Sequence, residues 1–164
     1  MLPIRDRNPV STVPYVTYIL IILNVAIFLL ELLFDFVGQL DPFVFEWAMV
    51  PENILAGNNL LTLFTSMFLH GGIMHIFGNM LYLFIFGNNI EDTIGHFNFL
   101  LFYLFCGLCA SFLQILLTTN PAIPTIGASG AIAGILGAYL VLFPRAKVAA
   151  LAFFFFITWV TLPA

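Results

Sequence analysis

Residues 125 to 139 read TIGASGAIAGILGAY, a run of Gly and Ala in which Ser129 is the only hydroxyl after Thr125 and before Tyr139. Upstream, the stretch HGGIMHIFGNM carries His70, His75 and Asn79. His75 and Asn79 are four residues apart and so share one face of a helix. A serine at a helix start lies beside backbone N–H groups that have no partner in the helix, and the positive end of the helix dipole favours an anion forming there. Asn79 donates from its amide and His75 from a ring nitrogen. Brought together, these groups are a nucleophile and the parts of an oxyanion hole, the chemistry of acyl transfer by a serine. Gly127 and Gly130 leave room for a substrate backbone to approach the hydroxyl, and Ala128 and Gly134 extend the small-residue setting.

Plainer readings stand beside this one. Gly130 and Gly134 make G-x-x-x-G, continued by Ala133 and Gly137, an ordinary face for packing helices in a membrane. A serine in such a face often bonds only to its own backbone, and His75 with Asn79 would serve equally well to bridge helices. Ala131 replaces the last glycine of the hydrolase elbow G-x-S-x-G. A metal site built from His70, His75, Cys106 and Cys109 is disfavoured, because the histidine spacing matches no zinc signature. The C-x-x-C of Cys106 and Cys109 lies in an apolar run without the βαβ pattern of a redox motif, and reads as packing.

Four apolar segments must position these groups. Residues 15–34 are long enough to cross a bilayer, which takes about 20 residues. The acidic ELLFDF after them is no cleavage site, so this is an uncleaved first helix. Residues 36–60 read as an acidic loop without Lys or Arg. The Gly71-Gly72 pair marks a break before a helix from about Gly72 to Phe86, NNIEDTIG reads as a polar turn, and His96 to Leu117 as a third helix. A short fourth helix runs from about Ala128 to Phe143. At 1.5 Å per residue, Ser129 lies about 21 Å above the far end of its helix, His75 roughly 18 Å and Asn79 roughly 12 Å above theirs. All three depths fall in the same part of a hydrocarbon core of about 30 Å. The tail VAALAFFFFITWVTLPA is expected to begin a fifth helix or to lie along the interface.

Composition agrees with a membrane setting. Of 164 residues, 62% are hydrophobic and only 7% charged, with mean hydropathy +1.11, whereas soluble domains carry about 25% charge. The length fits one domain, and the class is an all-α, polytopic transmembrane bundle. Four basic residues leave no footprint for nucleic acid. Arg5 and Arg7 precede the first helix, and Arg145 and Lys147 follow the fourth. Four crossings put all four cations on one side, which the positive-inside rule makes cytoplasmic.

The residues also carry a likeness. HGGIMHIFGNM, then FGNNIEDTIGHFNFLLFYLFCG, then GASGAIAGILGAYLVLFPRAKV resemble the rhomboid family of intramembrane serine proteases, most strongly from residue 60 to 148. His70, His75 and Asn79 match the family's H-x-x-x-x-H-x-x-x-N, and Gly127, Ala128, Ser129 and Gly130 match its G-x-S-G. The resemblance implies that Ser129 attacks a peptide bond in or near a substrate's transmembrane segment. It implies that Asn79, His75 and the Ser129 N–H hold the oxyanion, with His70 supporting the site. It implies transmembrane protein substrates within the bilayer, no metal or organic cofactor, and a membrane-embedded first loop at 36–60. A bacterial cytoplasmic membrane, with the N-terminus cytoplasmic, is the expected location.

One departure is decisive for activity. The family's Ser–His dyad takes its histidine from a last core helix in an A-H-x-x-G-x-x-x-G context, and residues 1–164 contain no such segment. Of the three histidines, His70 and His75 match other positions and His96 falls in the expected cytoplasmic turn. A serine without a general base is a weak nucleophile. The expectation is therefore a rhomboid-like membrane domain over 1–164, incomplete at its C-terminus, with little or no protease activity alone. The alternative is a non-catalytic rhomboid-like protein that binds transmembrane segments. A role for His75 as the base requires a different packing of the helices.

Overall fold

The computed structural model describes residues 2–6, 8–153 and 157–163. Its body is helical. Helix α1 (Tyr15–Phe36) is followed by the short helices α2 (Leu40–Trp47), α3 (Pro51–Leu55) and α4 (Thr62–Thr65), the last running on into a 3-10 turn at Ser66–Phe68. Helix α5 (Ile73–Tyr82) passes through a π turn (Leu83–Gly87) directly into α6 (Asn88–Ile94). Helices α7 (His96–Leu117) and α8 (Ser129–Leu142) complete the bundle. Three stretches, Tyr15–Phe36, Ile73–Ile94 and His96–Leu117, are long and apolar enough to cross a membrane, while Ser129–Leu142 is apolar but shorter. Outward-facing side chains such as Ile22, Phe105, Leu116 and Val141 are more than half exposed, as lipid-facing residues are.

Three expectations need correction here. NNIEDTIG is not a turn: residues 88–94 continue the second crossing as α6, and the reversal falls at Gly95. The polar side chains are tolerated in helix because they bond to other elements. Residues 36–60 are not an irregular loop but hold α2 and α3, whose first turns contain Asp41 and Glu52, the charge sign a helix N-terminus prefers. After α8 the chain forms strands β2 (Lys147–Phe153) and β3 (Ile157–Pro163), antiparallel to each other, in place of the start of a fifth helix. Strand β1 (Leu2–Asp6) pairs antiparallel with β2, so the segments carrying Arg5 and Lys147 are neighbours at one end of the bundle. The Val, Thr, Ile, Trp and Phe content of this tail suits extended backbone.

The basic end is held by carboxylates of α6. The start of α1 has no side-chain cap of its own. Its orphan N–H groups instead meet Glu91, which accepts from Val16 N (2.8 Å), Thr17 N (2.8 Å) and Thr17 Oγ1 (2.7 Å). Glu91 also lies 2.6 Å from His96 Nδ1 at the head of α7, so one fully buried carboxylate joins three helices. Asp92, beside it, accepts from Thr12 N (2.8 Å) and Thr12 Oγ1 (2.6 Å). A second network runs from Asn89 Nδ2 to Asp6 Oδ2 (2.5 Å), which also takes the Tyr139 hydroxyl (3.1 Å) from α8.

Between the two ends the core is apolar. Leu83, Ile90, Phe99 and Ile135 are fully buried, and Phe86 meets Tyr139 edge-on at 4.8 Å between ring centres. Helices α7 and α8 run antiparallel at very close range. A side chain at Gly130 would overlap Ala110 and one at Gly134 would overlap Cys106, so the small residues of α8 set this spacing. Cys106 packs there as a small apolar group, and Cys106 and Cys109 are both free thiols.

The capping arrangement makes a quantitative expectation. Glu91→Ala leaves the Val16 and Thr17 N–H groups buried without an acceptor and removes the partner of His96. Unfolding in mixed detergent micelles should show a loss of about 3 kcal/mol. Glu91→Gln, which keeps one acceptor oxygen, should lose roughly half as much.

Candidate active site

The far end of the bundle gathers the starts of α5 and α8. Gly72 ends the preceding turn with φ +152°, a conformation open to glycine, and α5 begins at the next residue. His75 and Asn79 come next on one face, His75 half-buried and Asn79 only 8% exposed. The Gly71 N–H donates to His75 Nδ1 at 3.3 Å. With Nδ1 accepting, the proton of the neutral ring is assigned to Nε2.

That Nε2 edge faces Gly127. A Cβ built on Gly127 would lie 2.9 Å from His75 Nε2 and Cε1, and 3.8 Å from Asn79 Nδ2. Gly127 itself has φ +120°, a backbone state that side-chain-bearing residues avoid, so glycine is required twice over. Asn79 Nδ2 is buried and has no hydrogen-bond partner. Such a group is exceptional in a folded interior and calls for an explanation.

Ser129 is the first residue of α8 and is exposed, while Ala128 before it is fully buried. The helix's first main-chain bond is Ile132 N to the Ala128 carbonyl (3.0 Å). The N–H groups of Ser129 and Gly130 therefore have no carbonyl one turn back to take them. The approach to Ser129 is fixed by main chain. Met49 and Thr125 exchange both of their N–H···O bonds (3.2 and 2.8 Å), tying residues 118–126 to the end of α2, and the Gly127 N–H donates to the Ser66 carbonyl at 2.8 Å. A cavity of about 230 Å³ beside Ser129 is lined by Ser66, Met67, Ser111, Gln114, Gly127 and Gly130 among others.

His70 lies at the edge of this cluster. Its ring centre is 5.1 Å from that of His75, edge-on, and its Nδ1 is 3.3 Å from the Phe68 carbonyl, to which it donates. Its Nε2 is buried without a partner. His96 belongs to the opposite end, paired with Glu91, about 24 Å along the helix axis from the level of His75. Among the described residues no hydrogen bond joins the Ser129 hydroxyl to a histidine; the ring partners are Phe68, Gly71 and Glu91. The described residues also contain no cluster of three or more His, Cys, Asp or Glu able to hold a metal ion.

Residue type and spacing did not point to Glu31. It stands in the second half of α1, 3% exposed, and both its carboxylate oxygens accept from the His70 N–H (3.1 and 3.0 Å). The available signal was a carboxyl residue within a largely apolar helix that also carries Asp35. Ser66, whose carbonyl accepts from Gly127, left no such signal.

These features define a multi-pass helical membrane protein with a polar cluster at one end, centred on an exposed serine at a helix start. The chain belongs to the rhomboid family: the model described as Rhomboid domain matches residues 57–164. The chain is similar to RHOMBOID-like protein 1 of Arabidopsis thaliana, 30% identical over 154 residues, covering 77% of this chain and 39% of that protein. It is 37% identical over 89 residues to RHOMBOID-like protein 6, mitochondrial, of the same plant, covering 54% of this chain and 28% of that protein. It is 32% identical over 127 residues to Rhomboid protease GluP of Bacillus subtilis, covering 77% of this chain and 24% of that protein. The chain thus spans between about a quarter and two fifths of the length of these curated relatives.

The geometry at Gly127 has a direct test. Gly127→Ala adds a methyl against the His75 ring at a disallowed φ, and should lower stability by about 1–3 kcal/mol. Thermal unfolding in detergent reads the loss, and an unchanged midpoint would mean that His75 does not press on this residue.

Proposed function

We propose that this chain carries the nucleophile and oxyanion half of an intramembrane serine endopeptidase. Ser129 Oγ attacks the carbonyl carbon of a peptide bond in or near a substrate's transmembrane segment, and the carbonyl oxygen becomes an oxyanion. The His75 Nε2–H, the Asn79 Nδ2–H and the Ser129 N–H donate to it, at the positive end of α8. The proton of Ser129 passes to a general base and then to the leaving amine. Among the described residues no histidine bonds to the Ser129 hydroxyl, so in this reading the base is a group other than the oxyanion donors.

The observation that carries this reading is the pair of donors turned toward Gly127. A buried Asn79 amide without a partner beside the His75 Nε2 edge is costly in a resting protein and is satisfied when an oxyanion lies between them. The name of Rhomboid protease GluP, a relative by sequence, supports the same reaction class. Residues 1–164 then act as one membrane domain, with the end bearing Arg5 and Lys147 on the cytoplasmic side. A second reading, binding of transmembrane segments without cleavage, draws on the lack of a histidine bonded to Ser129 among the described residues.

Cleavage of a transmembrane reporter in liposomes separates the two. The enzyme is residues 1–164 joined to a segment that supplies the base histidine. Ser129→Ala should abolish cleavage, and Asn79→Ala should lower kcat by about 10² to 10³. Binding of the reporter with no Ser129-dependent product would favour the second reading.

A further inference from the structure

We propose that Glu31 is a positioning residue: by accepting the His70 N–H, its carboxylate holds the Gly71 N–H on His75 Nδ1 and keeps the His75 ring proton on Nε2, facing Gly127. The inference rests on the reading of His75 as an oxyanion donor.

Glu31 is buried in the second half of α1, and a carboxyl group within a membrane helix needs a partner. Among the described residues no cation pairs with it; the ion pair found there joins Glu91 and His96. What Glu31 does meet is main chain. Both oxygens lie within 3.1 Å of the His70 N–H, and the residue is buried. A carboxyl oxygen can accept from a main-chain N–H in either protonation state, so this bond does not depend on charge.

The His70 ring does not need this bond, because its Nδ1 is already placed by the Phe68 carbonyl. The bond fixes the orientation of the backbone entering His70. The next N–H along the chain is that of Gly71, and it is the one that reaches His75 Nδ1 at 3.3 Å. Gly71 is followed by Gly72 at φ +152°, so this stretch has little stiffness of its own and takes its orientation from outside. A neutral imidazole has two tautomers, and the one present is decided by what bonds to the other nitrogen. With Nδ1 occupied as acceptor, Nε2 bears the proton and can donate. With Nδ1 released, the ring is free to carry its proton on the wrong side.

Glu31 does not reach the serine itself. It lines a separate cavity of about 190 Å³ with Asp35, Leu40, His70, Gly71 and Ile126. Ile126 also lines the cavity of Ser129, so this side chain stands between the two spaces. The carboxylate therefore acts through main chain and through His75, and not on a substrate.

The test reads the tautomer directly, without any cleavage. The chain is prepared in lipid nanodiscs with ¹⁵N-labelled histidine, and the His75 signals are identified by their loss in His75→Asn. The wild type should show His75 with its proton on Nε2. Glu31→Gln retains a carbonyl acceptor and should keep that form. Glu31→Met, similar in length but without an acceptor, should lower the ratio of Nε2–H to Nδ1–H about tenfold, the weight of one main-chain hydrogen bond.

A wild-type His75 protonated on Nδ1 overturns the proposal without any variant. So does a folded Glu31→Met chain with an unchanged ratio. If Glu31→Met does not fold, Glu31→Gln still decides: a shifted ratio there would mean that charge and not hydrogen-bond acceptance is at work. A failure of the protease reading leaves this spectrum unaffected, and an unmoved tautomer leaves the role of Ser129 unaffected.

Discussion

The buried carboxylate of Glu91 is the interaction on which the rest of the bundle leans. It takes two N–H groups and a hydroxyl from the first turn of α1 and meets His96 at the head of α7. In hydrocarbon, van der Waals packing alone associates helices only weakly and without fixing their ends. One anion shared by three helix ends supplies a fixed point at the basic side. From it the crossings run to the opposite end, where small differences in direction would separate His75 from Gly127.

At that opposite end the design changes from side-chain capping to main-chain pinning. The exchange between Met49 and Thr125 and the bond from Gly127 to Ser66 hold the segment that delivers Ser129. Close packing of Gly130 and Gly134 on α7 then sets how near α8 approaches its neighbour. The serine is thus presented by a rigid helix start, and the neighbouring donors by a second one. Residues 36–60 are part of this frame: their α2 and α3 cover and fasten the far end instead of only linking α1 to the second crossing.

Much of this was legible in the residues. The third crossing, His96 to Leu117, has the bounds that its largely apolar run indicates. The four-residue spacing put His75 and Asn79 on one helix face, whereas their approach to Gly127 was legible only as a compatibility of depths. NNIEDTIG misleads because its polarity looks like a turn, whereas Asn89, Glu91 and Asp92 spend their polarity on α1 and the N-terminal segment. That partnership spans more than seventy residues and no local pattern reports it. The helices within 36–60 are short and stabilised by contacts with residues 118–126, which again are distant in sequence. Glu31 was visible as a charge but not as a ligand of His70, since the acceptor of a main-chain N–H leaves no mark on the residue that donates.

The π turn at Leu83–Gly87 has a consequence for how the second crossing keeps both ends facing inward. An α-helix advances about 100° per residue, so a regular helix would set Asn79 and Glu91 about 120° apart around the axis. A π turn accommodates one additional residue without advancing the spiral, which removes roughly 100° of that angle. Asn79 and Glu91, at opposite ends and both buried, thereby come within about 20° of the same bearing. The wide turn is a phase correction. A chain one residue shorter within 83–87 would hold the same bearing as plain α-helix, whereas a residue lost on either side of it would turn one polar end out toward lipid.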